Sequence, residues 1–114
     1  MKTVLAQAFE AEMDAAWNLY RAGRLDAAFR HLERAHVLGQ RYVIPHVRSH
    51  WLMLRIGLAR RAPGEVWGQA VRIVLGALGS AVNVVPVGNT GGTDISMFKR
   101  LPISPEVARI IDGK

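Results

Sequence analysis

The stretch HLERAHVLGQRYVIPHVRSHW (residues 31–51) holds every histidine of the chain: His31, His36, His46 and His50. Its reading decides the fold. Leu25, Ala28, Phe29, Leu32 and His36 recur at the three- and four-residue spacing of a helical stripe, which Gly39 closes. Downstream, Pro45 fits the first turn of another helix, about 45–61, with Val47, His50, Trp51, Leu54 and Leu58 as its inner stripe. Only about eight residues, 38–45, join the two helices, so they should be antiparallel neighbours.

Upstream, Leu5, Phe9, Glu12, Met13, Ala16 and Tyr20 give a first helix over 3–21. Gly23 in RAGR marks a turn, so the first two helices form a hairpin, 3–38. Locally, WNLYRAGRLDAAFRHLERAH resembles a tetratricopeptide unit, but no second copy follows at that period, which argues against a repeat array.

Pro63-Gly64 should break the chain, with Glu65 in the first turn of a fourth helix, 65–82, where the helix dipole favours a carboxylate. Its sequence, VWGQAVRIVLGALGSAVNVV, is very apolar, but Gln69, Arg72 and Asn83 leave an uncharged run shorter than the roughly 20 residues of a membrane span. Gly68, Gly76 and Gly79 suggest close packing, hence a buried central helix or a dimer face. The turn-rich PVGNTGGTDIS makes a glycine-rich loop, 86–96, and Ser104-Pro105-Glu106 starts a short helix, 105–111, that should pack Val107, Ile110 and Ile111. The expected fold is all-α: one helical domain, 1–114, resembling a four-helix bundle with a glycine-rich C-terminal loop and a short last helix.

Composition narrows the chemistry. A chain of 114 residues makes one domain, and 50% hydrophobic content is enough for one core. The absence of cysteine excludes disulfides, thiolate metal sites and a cysteine nucleophile, so any metal must use nitrogen and oxygen ligands. The net charge of +6 raises nucleic acid or a membrane surface as partners. Yet the arginines are spread as on a solvated helix face and no nucleic-acid motif accompanies them; neither partner is favoured. Glu10, Glu12 and Asp14 interrupt the first apolar run, so it is not a signal peptide, and a cytoplasmic location is expected.

His46 and His50 are four apart and share one helix face; Glu33 and His36 are three apart and share another. Glu-x-x-His is the pairing that carboxylate-bridged di-metal bundles use. Across the short connection, Glu33, His36, His46 and His50 can converge. His31 lies about 140° around its helix from His36 and should face another surface. Glu12 shares a stripe with Phe9, Met13 and Ala16, so it should point inward, where a cation or a protonated histidine would answer its charge; Glu10 and Asp14 are further possible carboxylates. Imidazole and carboxylate together bind transition metals, iron or zinc first. A structural polar network and metal-free acid–base chemistry are the alternatives.

VGNTGGTDIS invites a phosphate-binding reading, but it lacks the P-loop lysine and the dinucleotide fingerprint. An ordered loop over the bundle is favoured, able to act as a lid on the histidines and carrying Asp94 and Ser96. Neither Ser80 nor Ser96 sits in a nucleophile elbow, which argues against serine hydrolysis.

Together, LERAHVLGQ (32–40), HVRSHWLML (46–54), EVWGQAVRI (65–73) and PVGNTGGTDIS (86–96) resemble a small bacterial family classed as a domain of unknown function. The resemblance implies no activity. It does imply a place near metal-handling genes, and Glu33, His36, His46 and His50 match its pattern while His31 does not.

The expected function is a cytoplasmic helical protein that binds a transition metal between helices through Glu33, His36, His46, His50 and Glu12. It would be a metal-dependent enzyme (non-haem iron or zinc) or a metal-handling protein. The alternative is a non-enzymatic interaction module whose apolar fourth helix forms a homodimer or docks a partner.

Overall fold

The computed structural model describes residues 1–113. Five helices follow one another: α1 Thr3–Arg21, α2 Leu25–Gly39, α3 Val43–Ala59, α4 Pro63–Ala81 and α5 Pro105–Ile111. No strand occurs among the described residues, so the chain is all-α, a helical bundle with a short terminal helix. Among the described residues no helix is long and apolar enough to cross a membrane.

Three-residue connections fold α2 back on α1, α3 on α2 and α4 on α3. At the first, Gly23 takes φ +77°, a conformation that costs an L side chain but not glycine. Two helix starts differ from expectation. Pro45 is the third residue of α3, tolerated because first-turn N–H groups have no partner within the helix. Pro63-Gly64 opens α4 instead of breaking the chain, since the fixed φ of proline suits the first helical position.

The apolar core comes from Leu5, Phe9, Met13 and Ala16 of α1, Ala28, Leu32, Ala35 and Leu38 of α2, and Leu52, Met53 and Ile56 of α3. Val107 of α5 closes one side, with Ile110 and Ile111 partly buried beside it. Ser104 caps α5 by accepting from the Val107 N–H at 3.2 Å.

The inward face of α3 is rotated from the expected stripe. His46, Ser49, His50, Leu52, Met53 and Ile56 are buried, while Trp51 is 51% and Leu58 58% exposed. The reversal in α4 is larger. It is not a buried central helix: its buried residues are Gln69 and Ser80, and Trp67, Val74 and Leu78 are 73%, 60% and 61% exposed. Residues 69, 76 and 80 fall on one face at helical spacing, so α4 turns a polar and small face inward and an apolar face outward. A polar inward face is stable only against polar partners. Those partners are histidines.

Candidate metal centre

His36 near the end of α2 and His46 and His50 on α3 meet where α4 crosses them, and all three are buried. His36 Nε2 lies 3.0 Å from His46 Nε2 and 3.0 Å from His50 Nε2. One ligand atom from each lies within 4.8 Å of the other two, so the group can hold a metal ion. The three ring centroids are 4.6–4.9 Å apart, with His36 edge-on to the other two.

The outer nitrogens reveal the protonation pattern. His36 Nδ1 is 2.6 Å from the Asn89 carbonyl, which can only accept, so this nitrogen carries a hydrogen. His50 Nδ1 is 2.6 Å from Gln69 Oε1. The Gln69 amide cannot be turned round, because its Nε2 donates to the Gly91 carbonyl at 3.0 Å. His46 Nδ1 is 2.7 Å from Ser80 Oγ, whose single hydrogen goes to the Gln40 carbonyl at 2.6 Å. All three Nδ1 atoms therefore donate. In the neutral rings all three Nε2 atoms are then bare lone pairs, those of His46 and His50 each close to that of His36.

The His36 lone pair faces two others, each 3.0 Å away, and such lone pairs repel unless a cation sits between them. A proton is a poor answer near neutral pH. Burial pushes His46 down to about 4, and burial followed by the His46 charge pushes His50 down to about 3. Burial, then the charges of His50 and His46, holds His36 well below the ordinary histidine range. A divalent metal suits the same geometry. Nitrogens about 2.05 Å from tetrahedral zinc are roughly 3.3 Å apart, a few tenths more than the separations here. Each ring is also oriented by a hydrogen bond at its far nitrogen, the usual outer support of a metal-bound imidazole.

Small residues make room for the rings. A Cβ on Gly76 would stand 2.9 Å from His46 Cε1, so only glycine lets α4 approach this closely. Gly91, at φ +86°, would place a Cβ 2.7 Å from His36 Cδ2. The glycine loop does cover the site. It is fastened there by Asn89, whose Nδ2 donates to the Ser96 and Lys99 carbonyls at 2.9 and 2.7 Å and whose Oδ1 accepts from Gly91 N–H at 2.9 Å. Ser80 is no activated nucleophile, because its hydrogen is committed to a backbone carbonyl and not to His46.

The histidines expected to converge do so; the carboxylates stand elsewhere. Glu33 pairs with Arg30 at 2.7 Å, one turn back on the same helix. Glu12 does need partners, and has two: His31 Nδ1 at 2.7 Å and the Arg34 guanidinium, whose Nε is 3.0 Å away. Glu10 binds Arg48 in a fork that ties α1 to α3. His31 sits on a different surface from the triad. Among the described residues no carboxylate joins the three-histidine group. Sequence reasoning missed Gln69, Ser80 and Asn89. Two of them had a signal, being polar interruptions three turns apart in an apolar helix, on the same face as Gly76. Asn89 had none, because its carbonyl acts through the backbone.

A cavity of about 1080 Å³ opens beside the triad, with His36, His46 and His50 in its wall. Arg72, Leu75, Leu78, Val82, Val84, Met97 and Phe98 line the rest, together with Arg41 and Arg100.

No curated protein and no solved structure matches the chain. One family does, over nearly its whole length, including the four segments 32–40, 46–54, 65–73 and 86–96. On that match, the chain belongs to the family described as "Protein of unknown function (DUF3703)", whose model spans residues 3–111.

Proposed function

We propose that the protein binds one divalent transition metal, zinc first, through the Nε2 atoms of His36, His46 and His50, with a coordination position left toward the cavity. One observation carries this reading: three buried imidazoles whose Nδ1 hydrogens are all committed outward aim three lone pairs inward. A donor set of three neutral nitrogens suits zinc, copper or nickel. The two-histidine, one-carboxylate iron set would need a carboxylate, and Glu12 and Glu33 are held by arginine and histidine partners away from the triad. Three histidines with an open fourth position are the arrangement of catalytic rather than closed structural zinc sites. Metal-assisted hydrolysis and metal handling both use it.

The test is metal content and competition. Purified protein, stripped and reloaded, should hold one zinc per chain, and cobalt(II) should give the visible spectrum of a four-coordinate nitrogen site. His50→Ala should abolish both. A wild-type chain that holds no stoichiometric zinc, copper or nickel sinks the reading.

A second reading rests on the outward face of α4. Trp67 and Val74, at 73% and 60% exposure, form an apolar ridge on the side away from the core. A homodimer through this ridge accounts for it. Sedimentation of the wild-type chain and of Val74→Glu tests this: a chain that is monomeric at every concentration rejects it.

A further inference from the structure

The cavity beside the triad has an uneven charge distribution. It is lined by three arginines, Arg41, Arg72 and Arg100, and by no aspartate or glutamate. In this protein most arginines near a carboxylate pair with it: Arg30 with Glu33, Arg34 with Glu12, Arg48 with Glu10, Arg60 with Asp26 and Glu65. Arg72 is different. It is half-buried and donates only to backbone carbonyls, Gly68 O and Ile95 O, each at 3.1 Å. Its buried Nε has no hydrogen-bond partner. Its charge also bears on two of the triad histidines, His36 and His50. Arg72 makes no ion pair; Asp94 bears on it only at longer range and does not line the cavity. A half-buried cation with no carboxylate in contact, one helical turn from Gln69 and beside three metal ligands, sets a local field that favours an anion.

The remaining wall is hydrocarbon. Leu75 and Leu78 follow one another along α4 with Val82 just past its end, and Val84, Met97 and Phe98 line the same cavity from the C-terminal segment. Leu78, Val82, Val84 and Phe98 are 61%, 70%, 71% and 75% exposed, a cost in water that an apolar occupant would remove. The volume, about 1080 Å³, is at the upper end for small-molecule sites, which typically run to about 1,000 Å³. Cationic and apolar side chains line one cavity, and Arg72 is the cation whose charge reaches the triad.

We infer that the cavity takes an amphiphilic monoanion, a carboxylate with a hydrocarbon body. One carboxylate oxygen occupies the open coordination position, the other faces Arg72, and the body lies along Leu75, Leu78 and Val82. The inference deepens the metal reading and rests on it. Two sources of selectivity follow. A neutral alcohol of the same length loses the head-group contacts, and acetate loses the apolar wall.

The experiment uses the full chain, with zinc content measured first. Decanoate, decanol and acetate are titrated calorimetrically into zinc-loaded and stripped protein. Decanoate should bind one per chain, at least tenfold tighter than decanol or acetate, and stripping should weaken it at least tenfold. In the cobalt(II) protein, decanoate should shift the visible bands. Arg72→Met should weaken decanoate without weakening decanol. Because Arg72 also ties the loop at Ile95, Leu78→Asp is the second variant: it lies on the exposed wall, leaves the triad alone, and should weaken decanoate and decanol alike. One zinc per chain with no preference for decanoate over decanol overturns the ligand and leaves the metal site standing. A chain without zinc overturns both. A zinc-loaded dimer from which decanoate is excluded assigns the groove to a second copy of the chain and overturns the ligand.

Discussion

His31 and His36 stand five residues apart on the same helix and have opposite fates. His31 meets a carboxylate, Glu12, at 2.7 Å, with Arg34 on the other oxygen, at a half-exposed edge between α1 and α2. Its chemistry is complete as it stands. His36 meets two more imidazoles, both 3.0 Å away, in the buried angle between α2, α3 and α4. Its neighbours offer lone pairs to a lone pair. The difference shows that a histidine's capacity to hold a metal depends on what faces it, and what faces it is set by the fold, not by the local sequence.

The comparison breaks most visibly under substitution. His36→Ala and His50→Ala should each lower zinc affinity by more than a hundredfold, while His31→Ala leaves it within twofold. In melting experiments, zinc at a thousandfold excess over Kd adds about 4 kcal/mol to a chain that binds it. At about 4 °C per kcal/mol for a chain of this size, that is a Tm gain of roughly 15 °C, which the two triad variants should lose. Equal effects at His31 and His36 would erase the distinction.

Acid should separate the two regions next. His46 and His50 titrate at about 4 and about 3 in the folded chain, below the ordinary 6.5, so between these values the unfolded chain binds protons that the folded triad refuses. The stability this confers is complete above pH 6.5 and is lost as the pH falls through 4 to 3. Urea midpoints of the stripped protein should therefore decline steadily below pH 6.5. The His46→Gln/His50→Gln double variant should decline less. A wild-type profile flat from pH 7 to 4 would contradict the neutral triad.

Smaller effects test the supports. Gln69→Leu removes the acceptor at His50 Nδ1 and the donor to Gly91, and should lower zinc affinity about 10- to 100-fold, as losses of such oriented partners do elsewhere. Glu12→Gln touches only the surface cluster. It should cost about 1 kcal/mol or less and leave zinc affinity unchanged. A larger loss of zinc from Glu12→Gln than from Gln69→Leu would return the carboxylate to the metal.

Much of this was legible in the sequence because it depends on local period and short connections. The α1–α2 hairpin follows from Leu5, Phe9 and Met13 on one strip and Ala28, Leu32 and Ala35 on the next. The meeting of His36 with His46 and His50 follows from i,i+4 spacing and a turn too short to separate the helices. The carboxylates were harder to place. Glu33 shares a broad face with His36, yet a rotation of about 60° around the helix axis carries it to Arg30 at the surface. For α4, apolar content suggests a buried central helix or a dimer face, and the first alternative does not hold: the buried residues are the few polar ones, Gln69 and Ser80, because the surface they meet is imidazole and not hydrocarbon. Asn89 reaches the site from 53 positions beyond His36, a closure that no local pattern encodes.

That closure has a kinetic consequence. The His36 ring is steered by a carbonyl on the glycine loop, and the same loop is latched by the Asn89 side chain and by Gln69. On the proposed reading, a metal held by all three rings is fully released only when the latch lets the His36 ring turn away. Its departure should run at the rate at which the loop unfastens: independent of chelator concentration once chelator is in excess, and equal to the opening rate that limits hydrogen exchange at the buried Gly91 amide. On the proposed reading the loop would act as a timer on the metal's residence, set by three hydrogen bonds of the Asn89 side chain and one of Gln69 and not by the strength of the coordinate bonds.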